Sequence, residues 1–77
     1  MKINDAIKTR ILNLCAENKM TINELAALSG LRATTIYSVI SGKSKNPSFG
    51  TIKKICSGFG ISIRAFFDDK IFNNIDT

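Results

Sequence analysis

Apolar residues recur at three- and four-residue intervals along almost the whole chain. Ile7, Ile11, Leu14 and Cys15 mark one face of a first helix, expected over 5–18 with Asn4 as its N-cap. "TINELAALSG" follows. Its Thr21 and Glu24 have capping-box spacing, Ile22, Leu25, Ala26 and Leu28 supply apolar positions, and Gly30 supplies a stop. A second helix is therefore expected over 22–29. A third is expected over 33–40, ended by Gly42, with Ile36, Val39 and Ile40 inward and Thr34, Ser38 and Ser41 on the opposite face. Tyr37 lies at the edge of that polar face. After the turn-rich "SGKSKNP", Ser48 can cap a fourth helix whose stripe is Phe49, Ile52, Ile55, Cys56 and Phe59, ended by Gly60. Ser62 can cap a short fifth helix that offers Ile63, Phe66 and Phe67 to the core. No segment requires a strand, so the fold class is all-α.

Length bounds this picture to one small domain. The chain has 77 residues, and a domain of that size buries only about 60% of its unfolded surface. There is no linker-like tract and no internal repeat. No apolar run is long enough to span a membrane, and "MKINDAIKTR" lacks the apolar region of a signal peptide, so no membrane association and a cytoplasmic location are expected. Cys15 and Cys56 form no CxxC pair and no histidine is present, so no metal site and no cofactor are expected. Both cysteines fall on apolar stripes and read as buried, reduced thiols.

Charge changes the picture more. Eleven Lys and Arg stand against six Asp and Glu, a formal charge of +5. No acid lies between Glu24 and Asp68, whereas Arg32, Lys43, Lys45, Lys53, Lys54 and Arg64 all do. A positive field concentrated in one part of a small protein suits a polyanion, and nucleic acid is the commonest one. A solubilising surface would carry similar charge.

Two short helices joined by a glycine-containing turn, Ser29-Gly30-Leu31, make a helix-turn-helix unit. Ala26 is small enough for the two helices to approach, and Leu31 and Ile36 fill the angle between them. The motifs "MTINELAALSGL", "TTIYSVISGKSKNP", "TIKKICSGFGIS" and "FF" then stand in order over 7–68. In these motifs the chain resembles the Cro/phage-repressor-type (Xre-type) helix-turn-helix DNA-binding family.

The resemblance implies a compact five-helix, lambda-repressor-like domain over 1–69, with a short tail over 70–77. It implies that the third helix lies in the DNA major groove, and that Ala33, Thr34 and Ser38 occupy the base-reading positions. Tyr37 and Ser41 flank them; Tyr37 is either a phosphate contact or a packing residue. Hydroxyls and a methyl can meet base edges but lack the bidentate geometry of amides or guanidinium, so modest discrimination per contact is expected, with DNA shape assisting. The second helix would aim its N-terminal amides, at Thr21 and Ile22, at a phosphate. Arg32 departs from the family pattern, where Ser or Thr often caps the third helix. Arginine has no acceptor with which to cap; it is expected to meet a phosphate in preference to a guanine, with a solvated charge as the remaining reading. Lys43, Lys45, Ser48 and Phe49 correspond to a second clamp on the backbone. Lys53 and Lys54 are as well explained by a solvated helix surface.

Ile71, Phe72 and Ile75 in the tail either fold back on the domain or build a homodimer, which family members commonly use on paired half-sites. The function so implied is a sequence-specific transcriptional regulator of double-stranded DNA, acting as a repressor. The alternative is an antitoxin or other interaction module with a protein partner. An enzyme is not expected, because the chain has no histidine, metal cluster, phosphate loop or paired-carboxylate cleft.

Overall fold

The computed structural model describes residues 2–43 and 47–75. Five α-helices follow in order, α1 (Ile3–Glu17), α2 (Ile22–Ser29), α3 (Ala33–Ser41), α4 (Phe49–Phe59) and α5 (Ile63–Phe67), then a 3-10 helix over Lys70–Asn74. No strand occurs among the described residues.

The first helix begins earlier than Asn4 capping would allow. Lys2 is its N-cap, without a side-chain cap, and the Ala6 amide already donates to the Lys2 carbonyl at 3.1 Å. A side-chain cap contributes only about 1 kcal/mol, so continuing the backbone ladder by two residues overrides it. The other end of α1 is closed without glycine. Lys19 sits at φ 51°, the Met20 amide donates to the Cys15 carbonyl at 2.8 Å, and the Lys19 amide to the Ala16 carbonyl at 3.2 Å. This is a Schellman closure with lysine in the left-handed position, where glycine is the usual occupant. Asn18 Nδ2 adds a bond to the Leu14 carbonyl at 2.7 Å.

The expected caps form at α2, α4 and α5. Thr21 Oγ1 accepts from the Glu24 amide and Glu24 Oε1 accepts from the Thr21 amide, each at 3.1 Å. Ser48 Oγ accepts from the Thr51 amide at 3.1 Å, and Ser62 Oγ from the Ala65 amide at 3.0 Å. Gly30 at φ 68° and Gly60 at φ 71° turn the chain out of α2 and α4. In each case the following residue's amide, Leu31 or Ile61, returns to a carbonyl five residues back at 3.0 Å.

The core forms where the stripes meet. Ile11, Leu25, Ile36, Ile55 and Phe66, one from each of the five α-helices, are fully buried. Ile7, Leu14, Cys15, Ala26, Val39, Ile52 and Cys56 complete the cluster. Both cysteines are free, and burial pushes both thiols above their ordinary value. Ser29, Leu25 and Gly58 are buried together where α2 meets α4. A Cβ at Gly58 would collide with Ser29 Oγ and stand 3.0 Å from Leu25 Cδ1. Ser29 Oγ is buried without a hydrogen-bond partner.

Two apolar positions read as inward face out instead. Phe49 is 67% exposed and Leu28 61% exposed. Spacing assigns a residue to a face, but burial also needs a neighbouring element over that face. On α4 the buried stripe starts only at Ile52. Phe67, also expected in the core, is exposed, its ring set edge-on to Phe66.

The tail folds back over its described length. Phe72 packs on the core cluster, and the Phe66, Phe67 and Phe72 rings lie with centroids 4.9–6.1 Å apart. Phe72 is thus half-buried within its own chain. Arg10 locks the same region. Its Nε donates to the Phe66 carbonyl at 2.7 Å, one terminal nitrogen to the Ala65 carbonyl at 3.0 Å, and the other to Asp69 Oδ2 at 3.1 Å. One guanidinium therefore satisfies the Phe66 carbonyl at the end of α5 and shares the Ala65 carbonyl, which also accepts the Asp68 amide at 3.3 Å.

Candidate nucleic-acid interface

The third helix is anchored by its inner side and leaves its outer side open. Ile36 and Val39 are buried, and Ala33 and Ile40 pack partly against the core. Thr34, Tyr37 and Ser41 are exposed and Ser38 is half-buried. Ser38 Oγ donates to the Thr34 carbonyl at 2.9 Å, and Ser41 Oγ donates to the Ser38 carbonyl at 3.3 Å. With their protons turned back onto the helix, the two hydroxyls present lone pairs outward as acceptors. Of the three expected base-reading positions, Thr34 and Ser38 share this outer side. Ala33 is half-buried at the first turn, its methyl partly taken up by packing.

The approaches to this helix carry free amides and cations. Arg32 is the N-cap of α3 and makes no side-chain cap bond, so its exposed guanidinium is not consumed by the helix start. The first amides of α3 follow it directly. At α2 the capping box uses the Thr21 hydroxyl, the Thr21 amide and the Glu24 amide. The amides of Ile22 and Asn23 then remain outside the intrahelical ladder. Asn23 is an exposed residue that spacing alone did not single out. At α4 the Ser48 hydroxyl is occupied by the Thr51 amide and hydroxyl, leaving the amides of Phe49 and Gly50 as the unladdered donors.

The acid-free interval reaches the surface as charge. Arg32, Lys43, Lys53, Lys54 and Arg64 are all exposed, and none forms an ion pair among the described residues. Lys45 lies outside the described residues.

Beside α3 lies a depression of about 440 Å³, lined by Lys8, Thr34, Tyr37, Ser38, Ile40, Ser41 and Lys43. Lys8 comes from α1, outside the helix-turn-helix unit. No local pattern marks it, since only the packing of α1 on α3 brings it there. Among the described residues no cluster of His, Cys, Asp or Glu could hold a metal ion, and no helix is long and apolar enough to cross a membrane.

The Cro/C1-type HTH DNA-binding domain family matches residues 10–69. The chain belongs to that family. Its fold is also that of a solved structure described as the crystal structure of the prophage Lp1 protein 11, with a TM-score of 0.82 and 34% identity over 97% of this chain and 100% of that one. No match is found among curated proteins. Within this DNA-binding family, α2 and α3 are the two helices of the helix-turn-helix and α3 is its second.

Proposed function

We propose that the chain is a sequence-specific regulator of transcription that inserts α3 into the major groove of double-stranded DNA and represses by occluding its site. The observation that carries this reading is the outer side of α3. A short helix pinned by Ile36 and Val39 leaves Thr34, Tyr37, Ser38 and Ser41 outward, with unpaired cations at both of its ends.

Thr34 and Ser38, with the Ala33 methyl at the margin, are the base contacts in this reading. The Thr34 hydroxyl can accept or donate and the Ser38 hydroxyl, its proton on the Thr34 carbonyl, accepts, so recognition draws on several small contacts and on DNA shape. Arg32, Lys43, Lys45 and the free amides behind Thr21, Ile22, Ser48 and Phe49 hold the backbone and set the register, without reading sequence. Tyr37 and Ser41 complete the flank. Occupancy alone produces the effect, with no chemical step. The site of action in this reading is the cytoplasm.

Selection of the full chain on a randomised duplex pool, followed by sequencing, tests this. An enriched motif is the expected result, and a palindrome would add a homodimer on two half-sites. A folded protein that enriches nothing would overturn the reading in favour of a module that binds another protein.

A further inference from the structure

We propose that Lys8 on α1 is a DNA-backbone contact, a clamp supplied from outside the helix-turn-helix unit. This rests on the reading that the outer side of α3 lies in the major groove.

A helix with its side chains is about 10–12 Å across and the major groove is about 12 Å wide. A helix seated there fills the groove, so a group standing beside it faces the groove wall, which is sugar and phosphate. Lys8 stands in that place. It lines the depression beside α3 together with Thr34, Tyr37, Ser38, Ser41 and Lys43.

The two cations in the middle of α1 are used in opposite ways. Arg10 is spent on two carbonyls and Asp69. Lys8 is exposed and has no ion pair among the described residues, although Asp5 lies one turn before it.

The depression runs along α3 from Thr34 in its first turn to Ser41 and Lys43 at its C-terminal end, where unpaired carbonyls carry negative partial charge. A phosphate approaches that end favourably only if cations offset the carbonyls. Lys8 and Lys43 both line the depression. An ammonium is a point charge with three rotatable donors, suited to a phosphate wall and not to bidentate reading of a base.

The test uses the full chain and the duplex enriched by selection. Affinities of wild type, Lys8→Gln and Lys8→Arg are measured across salt concentration, on duplexes in which single phosphates are replaced by neutral methylphosphonates. Losing one phosphate contact lowers the salt slope by about 0.9, so the wild-type advantage over Lys8→Gln should shrink about 3.5-fold from about 50 to about 200 mM salt. Lys8→Arg should keep the wild-type slope. One methylphosphonate position should weaken wild type and leave Lys8→Gln unaffected.

An unchanged slope together with an unchanged methylphosphonate profile would overturn the proposal. A fall in thermal stability with unchanged binding would also overturn it, and would leave Lys8 a structural partner of the α3 carbonyls. Failure of the wild type to bind any duplex would instead sink the DNA reading itself, a result distinguishable from both.

Discussion

The α1–α5 closure and the outer side of α3 use polar groups in opposite ways. At the closure, the Arg10 guanidinium binds two carbonyls and one carboxylate, and three phenylalanine rings pack beside it. On α3, the hydroxyls of Ser38 and Ser41 bond only to their own helix, and Arg32 and Lys43 have no ion pair among the described residues. One region spends its polar groups on holding the fold. The other withholds them from the fold, and that is what a binding surface requires. Stability and recognition should therefore separate by mutation.

The largest expected effect is on the closure. Arg10→Leu should cost about 2–4 kcal/mol, because it removes three hydrogen bonds and strands the Phe66 carbonyl and a partly buried carboxylate. Arg10→Lys should recover little, since an ammonium cannot span the same three acceptors. Asp69→Asn should cost only about 0.5–1 kcal/mol, because the carboxylate is one-third exposed. Urea unfolding checks all three. A small loss for Arg10→Leu would erase the contrast between the regions.

Next comes the α2–α4 seam. Gly58→Ala should destabilise by about 1–3 kcal/mol through overpacking against Ser29 and Leu25. Ser29→Ala removes a buried hydroxyl that has no partner, so alone it should be neutral or stabilising, and combined with Gly58→Ala it should recover part of the loss. A strictly additive double mutant in urea unfolding would show that the hydroxyl is not the obstacle.

On α3 the expectation reverses. Thr34→Ala and Ser38→Ala should leave folding stability within about 0.5 kcal/mol, as surface changes do. Each should shift preference at particular base pairs, by up to about 1–3 kcal/mol. Competition binding against point-substituted duplexes measures this. An equal affinity loss on every sequence would place these residues on the backbone and not on the bases.

The smallest effect is on pH dependence and belongs to the core. Burial raises the thiol pKa of Cys15 and Cys56 in the folded state. Between the unfolded and folded values the native state holds more protons, so stability should fall as pH rises through that window and be fully present below it. Replacing both cysteines with alanine should remove this part of the decline in an unfolding series through alkaline pH.

The helices were legible in the sequence because their determinants are local. Capping residues at Thr21, Ser48 and Ser62 and the stops at Gly30 and Gly60 lie within a turn of what they control. The left-handed Lys19 was not legible, since the closure of α1 uses backbone bonds that any residue can make. Neither was the Arg10 clamp, whose partners are 55 to 59 positions away. Phe49 and Leu28 show the limit of periodicity, which gives a direction but not a neighbour. At the candidate interface, Thr34, Tyr37, Ser38 and Ser41 could be read from the polar side of a single helix. Lys8 could not, because it reaches α3 only through the packing of α1.

Whether α3 is the surface that meets DNA is decided by an NMR titration of the isotope-labelled chain with its selected duplex, following every backbone amide. The largest shifts should fall at 21–23, 32–43 and 48–50, with 63–74 nearly silent. Shifts concentrated on α5 and the 3-10 helix, with α3 unmoved, would contradict the assignment of α3 as the surface that meets DNA.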